Sequence, residues 1–292
     1  MVHKFNFSGY ERFSHEAHFD MSRHSTIGCG GRARIAFCPH SVAEIKALLS
    51  KLDTDKIPYQ VVGNMSNVLP PDEDLQIPLI RTKNLNGVVI TDGAFVYAGV
   101  PSGALLSMCK RNGKSGVEFL YGIPCTLGGA LFMNAGAGGA YIGELVEQVL
   151  VYQNGKTKLL SQKDCDYAYK HSVFMEDSGV ILGAALRLEN ATEEEIQAKE
   201  KCFKSRRAHL PMGKSMGCVF KNPVGFSAGE LIEKSGLKGL RVGGAVVSEK
   251  HANFIINENA ATAGDIKNLI TLVKNAVQSQ YGIRLEEEIR YI

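Results

Sequence analysis

Residues 121–139, YGIPCTLGGALFMNAGAGG, place six glycines and one asparagine inside an otherwise apolar run. Glycine weakens both helix and strand, and the run is too short and too interrupted to span a membrane. Such a stretch needs another reason to exist. A large, flat, partly charged ligand lying against bare main chain supplies one. Tight packing between sheet and helix is the competing account, so the pattern does not by itself name a ligand.

The chain has 292 residues, enough for two or three domains and for a large core. It is 45% hydrophobic and 22% charged, ordinary for a globular protein. A net charge of +3 with no basic tract argues against a nucleic-acid partner and for one anionic small molecule. The opening MVHKFNFSGYERF lacks an apolar h-region, so a cytoplasmic protein with no membrane partner is expected. Seven cysteines at irregular spacings, with no Cys-x-x-Cys, point to reduced thiols rather than a disulfide framework.

Helix starts are marked by SVAEIKALLSKL (Ser41, Glu44), TEEEIQAKEKCFKSRRAHL (Thr192, Glu195) and SAGELIEKSG (Ser227, Glu230), each with a capping-box pattern. Gly236 fits the residue that ends the third. A long helix is expected from Thr262 to about Tyr281, stopping at Gly282. YQVVG, GVILGAALRLE and HANFIIN read as strands. Asp92-Gly93 and Asn154-Gly155 read as hairpin turns. The elements mix without regular βαβ alternation, which predicts an α+β fold. The charged helix from Thr192 marks a boundary.

Three motifs are set aside on context. GCGGRA (28–33) has the spacing of a dinucleotide fingerprint, but no apolar strand precedes it and RIAFCPH after it reads as a strand. GKSMG (213–217) leads into extended CVFKNP, whereas a nucleophile elbow needs a helix there. His15, His18 and His24 have no Cys or acidic cluster to complete a metal site, so no metal is expected.

What remains is VVGNMSNVLP, with Asn64, Ser66 and Asn67 at a strand end; the glycine-rich block; MGCVFKNP, with Cys218 near Lys221 and Asn222; YAYKHS; and LEEEIRYI. Alone, each has a bland reading: an Asn-rich turn, an inert core cysteine, a solvated carboxylate. Together, GNMSNVL, GIPCTLGGALFMNAGAGG, GCVFKNP, AGELIEKSGLKGLRVGGAVVSEKHANFIIN and IRLEEEIRYI resemble the UDP-N-acetylenolpyruvoylglucosamine reductases of bacterial cell-wall synthesis, in that family's order and from about Ser22 onward. The chain resembles the shorter subtype, without the insertion that some members close over substrate.

The resemblance implies a two-lobed FAD-binding region of the vanillyl-alcohol-oxidase type over residues 1–190, with lobes at about 20–84 and 85–190. A substrate-binding α+β domain would follow over 191–292. It implies noncovalent FAD, NADPH as hydride donor, and a monomer acting on a nucleotide sugar. FAD would be held by Gly63, Asn64, Met65, Ser66 and Asn67, and by Gly122, Ile123, Pro124, Thr126, Gly128, Gly129, Asn134, Ala135 and Gly136. The implied reaction leaves the carbon next to the substrate carboxylate as an enolate dianion. That centre needs positive charge or proton donors and an acid for the carbon.

By position the family's serine falls on Cys218, its glutamate on Glu288, and its arginine on Lys170. A thiol, with a reference pKa near roughly 8.5, can still donate a proton. Lysine keeps the charge but loses arginine's two-point fork on a carboxylate, so reduced precision is expected. Arg187 or Arg241 would be the stand-ins if Lys170 does not fill the role. Met65 replaces the usual glycine and is expected to crowd the flavin clasp. Tyr169, Asn222 and Lys250 are carried over as substrate-binding residues, and Arg206 and Arg207 as further cations toward the ligand. Two other readings keep the cofactor: a flavin oxidase of the same superfamily, which FKNP and EEEIR oppose, and a degenerate binder of flavin or nucleotide sugar without turnover.

Overall fold

Short capped helices and turn-closed hairpins build two compact units, which the computed structural model describes for residues 6–176 and 179–292. One unit takes in residues 1–17, 35–64 and 76–208; the other takes in 18–34, 65–75 and 209–292. The chain therefore enters each unit more than once.

In the first unit, strands Lys156–Ser161, Val146–Gln153, Val180–Leu186, Ala94–Tyr97 and Val88–Ile90 form a five-stranded antiparallel sheet in that order. Asn154 and Gly155 sit at φ +50° and +77°, as a two-residue hairpin demands. A second sheet runs His15–Asp20, Arg32–Phe37, Leu79–Arg81, Gln60–Val62, with Leu79–Arg81 parallel to the strands on either side. The helix Val42–Thr54 buries Ile45, Leu48, Leu49 and Leu52, the one-face spacing of an amphipathic helix. Ser41 caps it, but Glu44 does not complete a box: its carboxylate accepts from the backbone N–H of Ser14 and of His40. Two hydrophobic cores fill this unit, one around Phe37, Leu48 and Ile80, the other around Phe119, Leu131 and Leu186.

In the second unit, Arg241–Val242, Ala245–Val247 and Ile255–Asn257 form an antiparallel sheet. Val68–Leu69 pairs in parallel with Arg290–Tyr291. The helix Ala263–Tyr281 begins at a reciprocal Thr262/Asp265 box and stops at Gly282. The helix Ala228–Lys234 ends in a Schellman arrangement, with Gly236 N–H on Glu233 and Leu237 N–H on Ile232. At its start Ser227 caps, but Glu230 pairs with Lys234 instead of reaching back. HANFIIN is a strand only over Ile255–Asn257, because Phe254 N–H turns back onto the His251 carbonyl. The 28–33 and 213–217 motifs lead, as expected, into extended chain. Among the described residues no helix is long and apolar enough to cross a membrane.

Candidate active site

The glycine-rich block folds as a short helix, Leu127–Met133, capped by Thr126 at its start and by left-handed Asn134 at its end. A hairpin, Gly136–Ala137 with Ala140–Tyr141, follows. Within the same unit the strand end at Gly63–Asn64 meets this block. A Cβ on Gly63 would overlap the Thr126 hydroxyl, and Asn64 Nδ2 donates to the Pro124 carbonyl at 2.8 Å. A Cβ on Gly136 would run into the Ala140 carbonyl and the Tyr141 ring. Gly129, by contrast, presents nearly open main chain, the Thr126 hydroxyl at 3.6 Å being the near neighbour of its would-be Cβ. Two stretches far apart in sequence thus meet, with glycine required for close packing at Gly63 and Gly136 and open main chain left at Gly129.

Not every residue of the block faces outward. Asn134 is buried, and its amide donates to the Ala168 carbonyl at 2.8 Å and accepts from Gly143 N–H at 3.0 Å. These bonds tie the block to the tight turn Ala168–His171, whose end residues exchange both backbone hydrogen bonds. The turn places Tyr169 on the surface and Lys170 at φ +53°. The Ser172 hydroxyl, on the Phe132 carbonyl at 2.6 Å, fixes the other side. Arg206 and Arg207 also face the block. Arg206 reaches the Gly138 carbonyl, and Arg207 Nε lies 2.7 Å from where a Gly122 Cβ would stand. Arg187 donates to the Glu144 carbonyl, and Arg241 pairs with Glu258.

The second unit holds Met65, Ser66, Asn67, Cys218, Asn222, Lys250 and Glu288. Met65 takes φ +50°, in the left-handed region that favours glycine, and its side chain is 3% exposed. That side chain is packed into protein rather than standing out into the clasp. Asn67 Nδ2 donates to the Glu288 carbonyl at 3.0 Å, and Arg290 N–H donates to the Asn67 carbonyl. Cys218 lies on an extended segment bridged to Phe254 on one edge; on the other, Glu288 N–H donates to the Val219 carbonyl at 2.7 Å. The two candidate proton-handling residues therefore sit on neighbouring extended segments. Asn222 spends its Oδ1 on Ala228 N–H at the start of a helix. Lys250 is exposed. Near it in sequence, the buried Asn253 bonds the Cys218 segment and was not singled out in the sequence; an asparagine flanked by alanine and phenylalanine in HANF was the available signal. Among the described residues no His/Cys/Asp/Glu group could hold a metal.

Residues 33–157, which hold both glycine-bearing stretches, match the FAD binding domain. Residues 208–292 match the C-terminal domain of UDP-N-acetylenolpyruvoylglucosamine reductase. The enzyme of that name from Thermotoga sp. (strain RQ2) is 38% identical over 92% of this chain and 90% of its own. That from Syntrophobacter fumaroxidans is 39% identical over 94% of this chain and 83% of its own. The crystal structure of the Thermus caldophilus enzyme aligns with a TM-score of 0.82 at 32% identity, covering 96% of this chain and 98% of the other. The chain belongs to the UDP-N-acetylenolpyruvoylglucosamine reductase family.

Proposed function

We propose that Cys218, Glu288 and Lys170 carry the chemistry of this family in this chain. The chain is an FAD-dependent oxidoreductase that reduces UDP-N-acetylglucosamine enolpyruvate to UDP-N-acetylmuramate with NADPH, in peptidoglycan precursor synthesis. Bound FAD supplies the hydride relay between the two substrates. Gly63 to Asn67, with Gly122 to Gly136, hold it by backbone approach. Cys218, as the thiol, delivers a proton to the carbon next to the substrate carboxylate. Lys170 and Glu288 serve the carboxylate end of that enolate. Tyr169, Asn222 and Lys250 bind the nucleotide sugar. The FAD region spans 1–190 and the substrate domain 191–292; the protein works as a cytoplasmic monomer.

The observation that carries this reading is the pairing of the Cys218 segment with Glu288, through Glu288 N–H on the Val219 carbonyl. The test is anaerobic. The yellow protein is reduced with one equivalent of NADPH, the enolpyruvyl substrate is added, and flavin absorbance is followed. Prompt reoxidation with the lactyl ether formed supports the reductase. A flavin reduced until air enters rejects it in favour of an oxidase or a binder. Cys218→Ser is expected to turn over; Cys218→Ala is expected to be reduced normally and stall with substrate. Full turnover by Cys218→Ala would remove Cys218 from the role. Elution of the purified protein at twice its mass would overturn the monomer.

A further inference from the structure

Phe220, two residues beyond Cys218, has no backbone strand opposite it on one edge. The chain at His251–Phe254 is turning, with Phe254 N–H bonded to the His251 carbonyl at 3.0 Å. A side chain fills the gap. Asn253 Oδ1 accepts from Phe220 N–H at 2.9 Å, and Asn253 Nδ2 donates to the Phe220 carbonyl at 2.8 Å. The Asn253 carbonyl accepts from Val219 N–H at 2.8 Å. An amide is suited to this because it offers a donor and an acceptor side by side, as a peptide group does; a carboxylate has no donor unless protonated. Asn253 is 3% exposed, so a lost bond there leaves a buried polar group unsatisfied.

Asn253 is itself held from behind. Its backbone N–H donates to His251 Nδ1 at 3.2 Å, which requires that nitrogen to be unprotonated. Burial pushes the His251 pKa down; Lys238 pushes the same way, while Glu233 and a backbone hydrogen bond oppose. On its other edge the Cys218 segment is tied at Val219 to Glu288 and at Lys221 to Glu286.

We infer that Asn253 is a positioning residue for the proton-transfer segment: its amide, seated by His251, holds Cys218 in register with Glu288. The inference rests on the reading of Cys218 as proton donor. It predicts that disturbing Asn253 harms the substrate half of the reaction and spares the NADPH half.

The test uses the FAD-loaded protein and Asn253→Asp, a substitution of equal size. Protonated, the introduced carboxyl still donates to the Phe220 carbonyl; ionised, it sets negative charge against that oxygen. Reoxidation of the NADPH-reduced variant by UDP-N-acetylglucosamine enolpyruvate is expected near the parent rate at mildly acidic pH. At mildly alkaline pH it should be slower by about tenfold or more, the scale of a lost charge-bearing hydrogen bond. Flavin reduction by NADPH should match the parent throughout. Hydrogen exchange at the Phe220 amide, taken as the ratio of variant to parent at each pH, reads the same event without turnover, and that ratio should rise over the same pH range as the segment swings away from the repelling carboxylate. Parent-like reoxidation at every pH would overturn the inference. So would a parallel fall in both half-reactions in a variant that keeps its flavin, which marks a purely structural role.

If Asn253→Asp does not retain flavin, His251→Asn and His251→Leu decide. Asn places an acceptor where Nδ1 stands and should preserve reoxidation; Leu should slow it, and equal behaviour of the two would refute the chain of contacts. A parent protein that fails to be reoxidised sinks the reductase reading instead, and the Phe220 exchange data still decide the positioning.

Discussion

Met65 offers a substitution in which backbone and side chain pull in opposite directions. Its φ of +50° is left-handed, where a non-glycine residue costs about 1–2 kcal/mol. Met65→Gly would remove that strain. The side chain, however, is 3% exposed, and emptying a buried methionine site costs about 2–5 kcal/mol. Glycine adds a backbone entropy cost of about 0.5–1 kcal/mol. The balance is a net destabilisation of about 0.5–5 kcal/mol, although the local backbone prefers glycine. Denaturant unfolding of the FAD-free protein measures it. A variant as stable as the parent, or more so, would refute the reasoning and mean that the thioether contributes little packing. Because the side chain is covered by protein, flavin affinity is expected to move only as far as stability does.

Gly63→Ala should clash with the Thr126 hydroxyl and weaken flavin retention, losing about 1–3 kcal/mol of stability; adding Thr126→Ala should cost less than the sum of the two changes, read by titration of FAD. Burial raises the Glu287 pKa, but hydrogen bonds from Lys274 and Tyr291 outweigh it and leave it lowered. A lowered carboxyl stabilises above its unfolded pKa and loses that contribution as pH falls. Lys274→Met should therefore cost up to about 1 kcal/mol at neutral pH, with the difference from the parent closing below about pH 4 in unfolding curves. Burial pushes Cys29 and Cys109 up to about 12, and Cys125 and Cys165 up to about 11. Cys202 is exposed. Iodoacetamide should label Cys202 well before those four, by peptide mass spectrometry; early labelling of Cys125 would contradict its burial.

Local chemistry was legible where one residue type has one conformational job. Asn154-Gly155 closes a hairpin, Thr192 and Glu195 form a reciprocal box, and Gly236 ends a helix, all as the sequence signals. It was less legible where a side chain chooses between partners. Glu44 and Glu230 carry the capping-box pattern but bond elsewhere, because a long carboxylate reaches any nearby donor. The asparagines show this most clearly. Asn134 and Asn222 stand in motifs that point to ligands, yet each commits amide atoms to backbone groups of the protein. Asn253 was passed over within HANFIIN, since its role depends on a turn at His251 that only the folded chain reveals.

The parallel pairing of Val68–Leu69 with Arg290–Tyr291 has a consequence for synthesis on the ribosome. Segments 18–34 and 65–75 emerge early, yet the core they join, around Ile27 and Leu69, is completed by residues such as Val273 and Ile289. These early apolar stretches must wait while the intervening unit is translated. Contacts of such long sequence separation slow folding and lengthen exposure to wrong partners. A nascent chain arrested before the helix Ala263–Tyr281 should therefore be a chaperone client, protease-sensitive over its second unit.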